Sequence, residues 1–158
     1  IGKGCKCMVH ISGQQDLHLS ADVRMTAFIK ECERQGVACK VYSASEQMLW
    51  DMEYMPLINR IFMENPDMDG IFASSDIIAA QCIQMAGTLG YRIPEDIKIV
   101  GYDDICLSRL LYPPLTTVHQ DIKGLAKKAM DTVEELIEGK QVPESQVVSV
   151  SFIERKTT

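Results

Sequence analysis

Two adjacent carboxylates, Asp103 and Asp104, follow an apolar run at residues 97–100 and a glycine at position 101. A buried strand that presents carboxylates at its C-terminal end is how open α/β sheets display ligand-binding groups. Paired carboxylates could also serve acid–base catalysis or hold a metal ion. The sequence offers neither a third metal ligand at a useful spacing nor a nucleophile–base pair, so we predict no metal site and no enzyme active site.

Arg24 and Gln120 are further candidates for ligand binding. Arg24 falls in the first turns of a predicted helix, and its planar guanidinium suits vicinal hydroxyls or a carboxylate. Gln120 ends a second extended stretch, residues 116–121, which Pro113 and Pro114 keep from joining a helix. A surface arginine and an exposed glutamine are the simpler interpretations, and the residues alone leave both open.

Ser75 and Trp50 complete the set of candidates. Ser75 precedes Asp76 at a predicted helix start, where it could cap the helix or offer its hydroxyl to a ligand. Trp50 is the only tryptophan and could stack on a sugar ring or pack in the core. Cys5 and Cys7 would need partners to bind a metal, so a packing role is favoured.

The elements that must position these residues alternate between strand and helix. Apolar runs predict strands at residues 7–11, 37–42, 70–73 and 97–100. Helices are predicted from a cap at Ser20 to Gly36, across residues 50–63 with Pro56 marking the true first turn, and from Ser74 or Ser75 to Gly90. The alternation predicts an α/β fold, a parallel sheet with helices on both faces and right-handed crossovers.

The last forty residues predict one helix and one strand. A helix over residues 123–138 carries an apolar stripe that is expected to be buried, and Gly139 ends it. Alternation over residues 147–153 predicts a final strand. The polar residues 154–158 are expected to fray.

Composition excludes several classes of protein. The 158 residues are 46% apolar and carry a net charge of -6, which suits one globular domain and disfavours nucleic-acid contacts by these residues. No apolar run approaches the ~20 residues of a membrane-spanning helix.

Six cysteines, several in apolar patterns, suit reduced thiols in the cytoplasm. The start, without Met or a signal-like segment, suggests a fragment of a longer protein.

Residues 69–104, DGIFASSDIIAAQCIQMAGTLGYRIPEDIKIVGYDD, and the following PPLTTVHQD resemble the effector-binding core of lactose-repressor-type transcription regulators. Residues 24–28, RMTAF, resemble the Arg-x-x-Gly-Phe helix of that family, and the ending VSFIERKTT resembles its last strand. The resemblance covers nearly the whole chain. The combination of GYDD with PPLTTV is specific, whereas either half alone would be weak.

The resemblance implies two lobes, similar to those of periplasmic sugar-binding proteins, that close on a small effector. Residues 1–117 and 151–158 would form the C-terminal lobe. Residues 118–150 would supply the crossover, helix and strand of an N-terminal lobe that is mostly missing. The DNA-binding headpiece would also be missing, so operator DNA would be bound by that headpiece and not by this chain.

The resemblance also implies an effector site for a sugar or a sugar-like molecule. Its ligands would be Arg24, Trp50, Ser75, Asp103 and Gln120, while Asp104 would hold the turn. The family usually has Asn where Ser75 stands, and the shorter side chain indicates a different effector or a bridging water. No cofactor is implied.

A homodimer is the expected assembly, without membrane attachment. The resemblance places the subunit interface at Ile77, Ala80, Leu107, Leu110, Leu111 and Tyr112, where the last four form an apolar patch. The helix over residues 123–138 would be separated from most of its own lobe, so its apolar stripe would be exposed in this chain and offers a second surface for the dimer.

The alternatives are a lobe of a periplasmic sugar-binding protein and a nucleotide-dependent α/β enzyme. The absence of a glycine-rich phosphate loop in the sequence weighs against the enzyme.

Overall fold

A six-stranded sheet forms the centre of the chain. The computed structural model describes residues 2–13 and 20–158. The strand order is β2-β1-β3-β4-β5-β6. The first five strands are parallel, as predicted, whereas β6 pairs antiparallel with β5. The elements are β1 Cys7–Ser12, α1 Ser20–Gln35, β2 Ala38–Ser43, α2 Glu46–Asp51, α3 Met55–Glu64, β3 Gly70–Ala73, α4 Asp76–Thr88, β4 Lys98–Asp103, α5 Leu107–Leu110, β5 Thr116–Gln120, α6 Ile122–Ile137 and β6 Val150–Ile153.

Helices cover both faces of the sheet, as predicted. On one face, Val9, Ile71 and Ile99 of the strands pack with buried residues of α3 and α4 to form the main core. On the opposite face, α1 packs Phe28 and Cys32 against β1 and β2 in a smaller cluster. Successive side chains of a strand point to opposite faces, which explains why neighbouring strand residues belong to different clusters.

The helix boundaries agree with the sequence except around Trp50. Gly36 ends α1 with φ +66°, and Pro56 lies in the first turn of α3. The single helix predicted over residues 50–63 is wrong, because α2 begins earlier, at a cap by Ser45, and Met52 interrupts it with φ 53°. The side chain of Gln81 on α4 donates to the carbonyl of Met52 at 2.7 Å and so fixes this break. The predicted cap at Ser20 lies outside the described side chains.

The apolar stripe of α6 is exposed, as expected for this chain, although the pattern alone predicts a buried stripe. None of the side chains of α6 is buried. The helix follows β5 and stands beyond the sheet, so its apolar residues have no core to enter. The exposed large apolar side chains on it are Ile122, Leu125, Met130, Val133, Leu136 and Ile137.

The polar tail does not fray, contrary to expectation. Thr157 is fully buried, and its hydroxyl donates to the carbonyl of Ile99 at 2.6 Å. The same oxygen accepts from the backbone N–H of Thr116 at 2.8 Å. The guanidinium of Arg155 donates to the carbonyl of Leu115 at 2.7 Å. These contacts complete the hydrogen bonding of β4 and β5, so the polar composition that suggested fraying serves buried backbone groups instead.

No helix in the described part of the chain is long and apolar enough to span a bilayer.

Candidate functional site

Four of the five predicted ligand residues lie at one edge of the sheet. The parallel strands β1 to β5 end at this edge, which is where open α/β sheets bind ligands. Asp103 is the last residue of β4 and Gln120 is the last of β5. Ser75 caps α4 directly after β3, and Arg24 lies on α1, which follows β1.

Asp103 and Gln120 are in direct contact. The Nε2 of Gln120 donates to Oδ1 of Asp103 at 2.6 Å. Burial raises the pKa of Asp103 above its ordinary value, although the hydrogen bond from Gln120 and the charge of Arg24 act in the opposite direction. Asp103 has φ +110°, a backbone conformation that residues other than glycine rarely adopt. The carboxylate is therefore held at the edge beside a cation and an amide.

Arg24 stacks on the aromatic ring of Tyr102. Its guanidinium carbon lies 4.2 Å from the ring centroid, within the range of a cation–π interaction. Tyr102 immediately precedes Asp103 in β4, so one strand end positions both the carboxylate and the arginine. The sequence reasoning did not identify Tyr102, and the spacing of residues gave no signal for this contact.

Asp104 points away from Asp103 and serves as a structural anchor. Its side chain is 5% exposed, and its oxygens accept from Arg155 at 2.6 Å and from Ser108 at 3.1 Å. Nδ1 of His119 lies 3.0 Å from its second oxygen. Burial pushes the pKa of Asp104 upward, but the bonds from Arg155, Ser108 and His119 outweigh it and hold this pKa below its ordinary value.

The two carboxylates diverge, because Asp103 contacts Gln120 whereas Asp104 contacts Arg155, Ser108 and His119. Asp104 has φ 55° and Asp103 has φ +110°, so the chain turns here in the positive-φ region. Strand β4 continues through Gly101 and ends at Asp103, so the turn follows the strand directly.

Asp76 is a structural residue of the site that the sequence reasoning missed. Its Oδ1 accepts from the hydroxyl of Thr117 at 2.6 Å, and its Oδ2 accepts from the backbone N–H of Ile105 at 2.9 Å. A Cβ at Gly101 would stand 2.3 Å from Oδ1, so glycine leaves the space for this carboxylate. Asp76 thus joins the start of α4 to β5 and to the loop after β4. Its position beside the cap was the available signal.

Ser75 caps a helix and Trp50 is exposed on another, and their roles as ligands stay predictions. The hydroxyl of Ser75 accepts from the backbone N–H of Ile78 at 3.3 Å, which is the capping role. Trp50 lies on α2 with 78% of its surface exposed. Within residues 2–13 and 20–158, no ring or cation contact involves it, and no hydrogen bond joins it to the other four residues. Its ligand role stays a prediction.

The predicted interface residues, together called the ridge, differ in how much of each side chain is exposed. Leu110 is 78% exposed and Tyr112 is 95% exposed, next to α5. Leu111 and Ile77 are half-buried and pack against the main core. Ala80 and Leu107 are also half-buried. Leu110 and Tyr112 are therefore the side chains most available to a second subunit.

The groups at this edge of the sheet are of the kinds that form hydrogen bonds with hydroxyl groups. They combine a carboxylate acceptor, guanidinium donors and an amide that can both donate and accept. Among residues 2–13 and 20–158, no group of three or more His, Cys, Asp or Glu side chains could hold a metal ion.

Comparisons with known proteins agree with this geometry. Residues 1–158 match the family described as periplasmic binding protein-like domain. The ribose operon repressor of Halalkalibacterium halodurans is 37% identical in an alignment of 143 positions that covers 82% of this chain and 42% of the repressor. The chain thus spans less than half the length of this curated relative.

Two solved structures share the fold. The dimeric Lac repressor with an 11-residue C-terminal deletion is 26% identical, with a TM-score of 0.88, over 99% of this chain and 57% of that one. A periplasmic binding protein/LacI transcriptional regulator from Alkaliphilus metalliredigens, complexed with D-xylulofuranose, is 27% identical with a TM-score of 0.80. That match covers 99% of this chain and 58% of the other. The resemblance and the α/β fold predicted from the sequence are confirmed.

Proposed function

The chain belongs to the periplasmic binding protein-like domain family, and from that premise we propose that it is the effector-sensing part of a transcription regulator of the lactose-repressor type. The curated relative reported above is a repressor of a sugar operon, not an enzyme. In the proposed function, a small effector binds the edge formed by Arg24, Asp103 and Gln120. A second lobe closes on the effector. This change in the arrangement of the two lobes alters DNA binding by a headpiece outside this chain. We propose that this part has no enzymatic activity.

The observation that carries the proposal is the group formed by Asp103, Gln120 and Arg24. The carboxylate, the amide and the guanidinium face the edge at which parallel strands end, and none of them belongs to a catalytic pair. Half-buried polar groups of this kind recognise a ligand rich in hydroxyls. A sugar is therefore the first expectation for the effector, and the similar structure with bound D-xylulofuranose supports that class.

The site joins two parts of the chain that would move relative to each other. Gln120 ends β5, after which residues 121–149 leave the sheet, and β6 returns beside β5. We propose that residues 1–117 and 151–158 form one lobe and that 118–150 belong to the other. An effector can bias such a pair of arrangements only through a difference in its affinity for the two.

The partners and compartment follow from the same proposal. The net charge of -6 disfavours phosphate contacts by these residues, so operator DNA would be bound elsewhere in the whole protein. The six cysteines are all free thiols, which suits the reducing cytoplasm in which a DNA-binding regulator works. We propose a homodimer as the assembly, through the ridge around Leu110 and Tyr112.

The deciding experiment is a calorimetric screen of pentoses, hexoses and disaccharides against the gene product that contains this chain. We expect at least one sugar to bind and to change the affinity of the protein for its operator. The Arg24→Ala and Asp103→Ala variants should each weaken that binding by about tenfold or more, since each removes a charge-assisted hydrogen bond.

Lys30→Ala is the matched control, because Lys30 is an exposed residue of the same helix as Arg24. It should bind the sugar as the wild type does. A sugar that binds equally to Arg24→Ala and Asp103→Ala would contradict the assigned site. A protein that binds sugars but no DNA would contradict the regulator and favour a transport or chemotaxis protein.

A further inference from the structure

Two of the six cysteines, Cys32 and Cys39, pack in the same small cluster beneath α1. Cys32 is on the inner face of α1 and is fully buried. Cys39 is on β2 beside Met8 of β1. The two side chains are close enough for Cys39 to influence the pKa of the Cys32 thiol. The chain reverses between them at Gly36, and the N–H of Val37 donates to the carbonyl of Cys32 at 2.9 Å.

The other cysteines are placed less favourably than Cys32 to react with Cys39. The thiol of Cys5 lies over β3, where a Cβ on Gly70 would be 3.1 Å from its sulfur. Strand β1 separates β3 from β2, so Cys5 and Cys39 are about two strand spacings, or ~10 Å, apart. Cys7 precedes Met8 in β1 and therefore faces the opposite side of the sheet from Cys39. Cys82 is buried in the main core, and Cys106 is exposed beside α5.

The two thiols differ in access to solvent. Cys39 is half-buried on β2, which is the edge strand of the sheet. Cys32 has no exposed surface, and burial together with the neighbouring Cys39 raises the pKa of its thiol to about 11. A small oxidant would therefore meet Cys39 first, while Cys32 stays protonated and protected until an oxidised sulfur forms beside it.

We propose that Cys32 and Cys39 form a reversible intramolecular disulfide when the chain meets a hydroperoxide. The thiolate of Cys39 attacks the distal oxygen of the hydroperoxide, the O–O bond breaks, and an alcohol or water leaves with a proton from solvent. The sulfur of Cys32 then attacks the sulfenic acid at Cys39. The S–O bond breaks, water carries away the thiol proton, and an S–S bond forms. The thiols lose two electrons in total and the hydroperoxide gains them.

The disulfide would fasten the C-terminal half of α1 to the edge strand. The same helix carries Arg24 two turns earlier, so the oxidised form would restrict the helix that supplies a proposed ligand. The inference stands without the proposed function, because it rests only on the packing of α1 against β2.

Trypsin makes the pair directly observable. Cleavage after Lys30, Arg34 and Lys40 places Cys32 and Cys39 on separate short peptides, residues 31–34 and 35–40. The reduced chain is treated with hydrogen peroxide, free thiols are alkylated, and the digest is examined by mass spectrometry without reductant. We expect the two peptides linked, two hydrogens lighter than their sum, and separated again by a reductant. The oxidised chain should also melt at a higher temperature than the reduced chain.

Three variants and one internal control accompany the experiment. Cys32→Ser and Cys39→Ser should each abolish both the linked peptide and the rise in melting temperature, whereas Cys106→Ser should keep both. Cys82 reports on unfolding, because a folded chain should leave its thiol unlabelled until denaturant is added. Oxidation of Cys39 to a sulfinic acid without a link, a link to any other cysteine, or a link that appears only when Cys82 is labelled would each overturn the proposal.

Discussion

The side-chain amide of Gln120 donates a 2.6 Å hydrogen bond to the carboxylate of Asp103, and so joins the end of β5 to the end of β4. Gln120 is the last residue of the strand by which the chain leaves the sheet. The carboxylate that we propose binds the effector therefore also holds the exit of the chain. A ligand that engages Asp103 therefore binds a group in direct contact with the exit of the chain.

Asp103→Asn should separate binding from stability. The raised pKa of Asp103 shows that folding disfavours its charged form, so the neutral Asn should leave the free energy of unfolding at neutral pH unchanged or raise it by about 0.5 kcal/mol. The bond from Gln120 can persist to the Asn oxygen. Sugar binding should fall by about tenfold or more, because the acceptor loses its charge. Urea unfolding and calorimetry measure the two effects.

The pH dependence supplies the check on Asp103. A carboxyl whose folded pKa is raised binds its proton more tightly in the folded state, so its contribution to stability increases as pH falls through that pKa. This gain should be present in the wild type and missing in Asp103→Asn. An Asp103→Asn chain that is much less stable than wild type at neutral pH would show that the charge holds the fold.

Gly101→Ala should destabilise the chain by about 2–3 kcal/mol. The added Cβ would be 2.3 Å from Oδ1 of Asp76 and 2.9 Å from Leu115, so the carboxylate that holds Thr117 and the loop after β4 must shift. Gly87→Ala on α4 is the matched control, because no atom lies within 4 Å of its added Cβ. That change should stabilise the chain by about 0.5–1 kcal/mol through helix propensity. Equal effects of both changes on urea unfolding would contradict the role given to Asp76.

Asp104→Asn should cost about 3 kcal/mol of unfolding free energy at neutral pH. The change leaves the guanidinium of Arg155, which has little exposed surface, without its charged partner. The pKa of Asp104 is depressed in the folded chain, so its contribution is complete above the ordinary pKa of 3.8 and is lost as pH falls through the lower folded value.

Urea unfolding at several pH values checks this sign. The difference between wild type and Asp104→Asn should be constant above about pH 5 and shrink as the solution becomes more acidic. Asp67→Asn, at an exposed position in the turn before β3, should show a small difference throughout. A deficit for Asp104→Asn that persists undiminished at the lowest pH would show that charge is not the basis of the contact.

Leu110→Glu and Tyr112→Ser should each weaken self-association by about tenfold or more. Both side chains are largely exposed on the ridge that we propose as the subunit interface, and a buried carboxylate is costly in an apolar contact. Sedimentation equilibrium measures the dimer constant. Val147→Glu is the control at an exposed apolar position outside the ridge. A dimer that dissociates on Val133→Glu in α6 but survives both ridge changes would place the contact on the helix instead.

Local signals were enough for most elements. The helix ends are marked by residues whose own backbone or capping chemistry starts or stops a helix, namely Gly36, Pro56, Ser75 and Gly90. The strands are predicted from their apolar runs, which are buried in the folded chain. The break at Met52 could not be foreseen, because Gln81 from another helix fixes it. The tail could not be predicted either, because Thr157 is held by hydrogen bonds to residues of β4 and β5 that are far away along the chain.

The sequence by itself determined the parallel α/β order, because periodicity and capping are properties of neighbouring residues. Its motifs also carried the resemblance to the family, and that resemblance implied the set of candidate ligands. Only the tertiary structure decided how those residues are used. It placed Arg24 on Tyr102, Gln120 on Asp103 and Arg155 on Asp104, and it left Trp50 exposed. These contacts join residues from different strands and helices, and the packing of the sheet, not the spacing along the chain, brings them together.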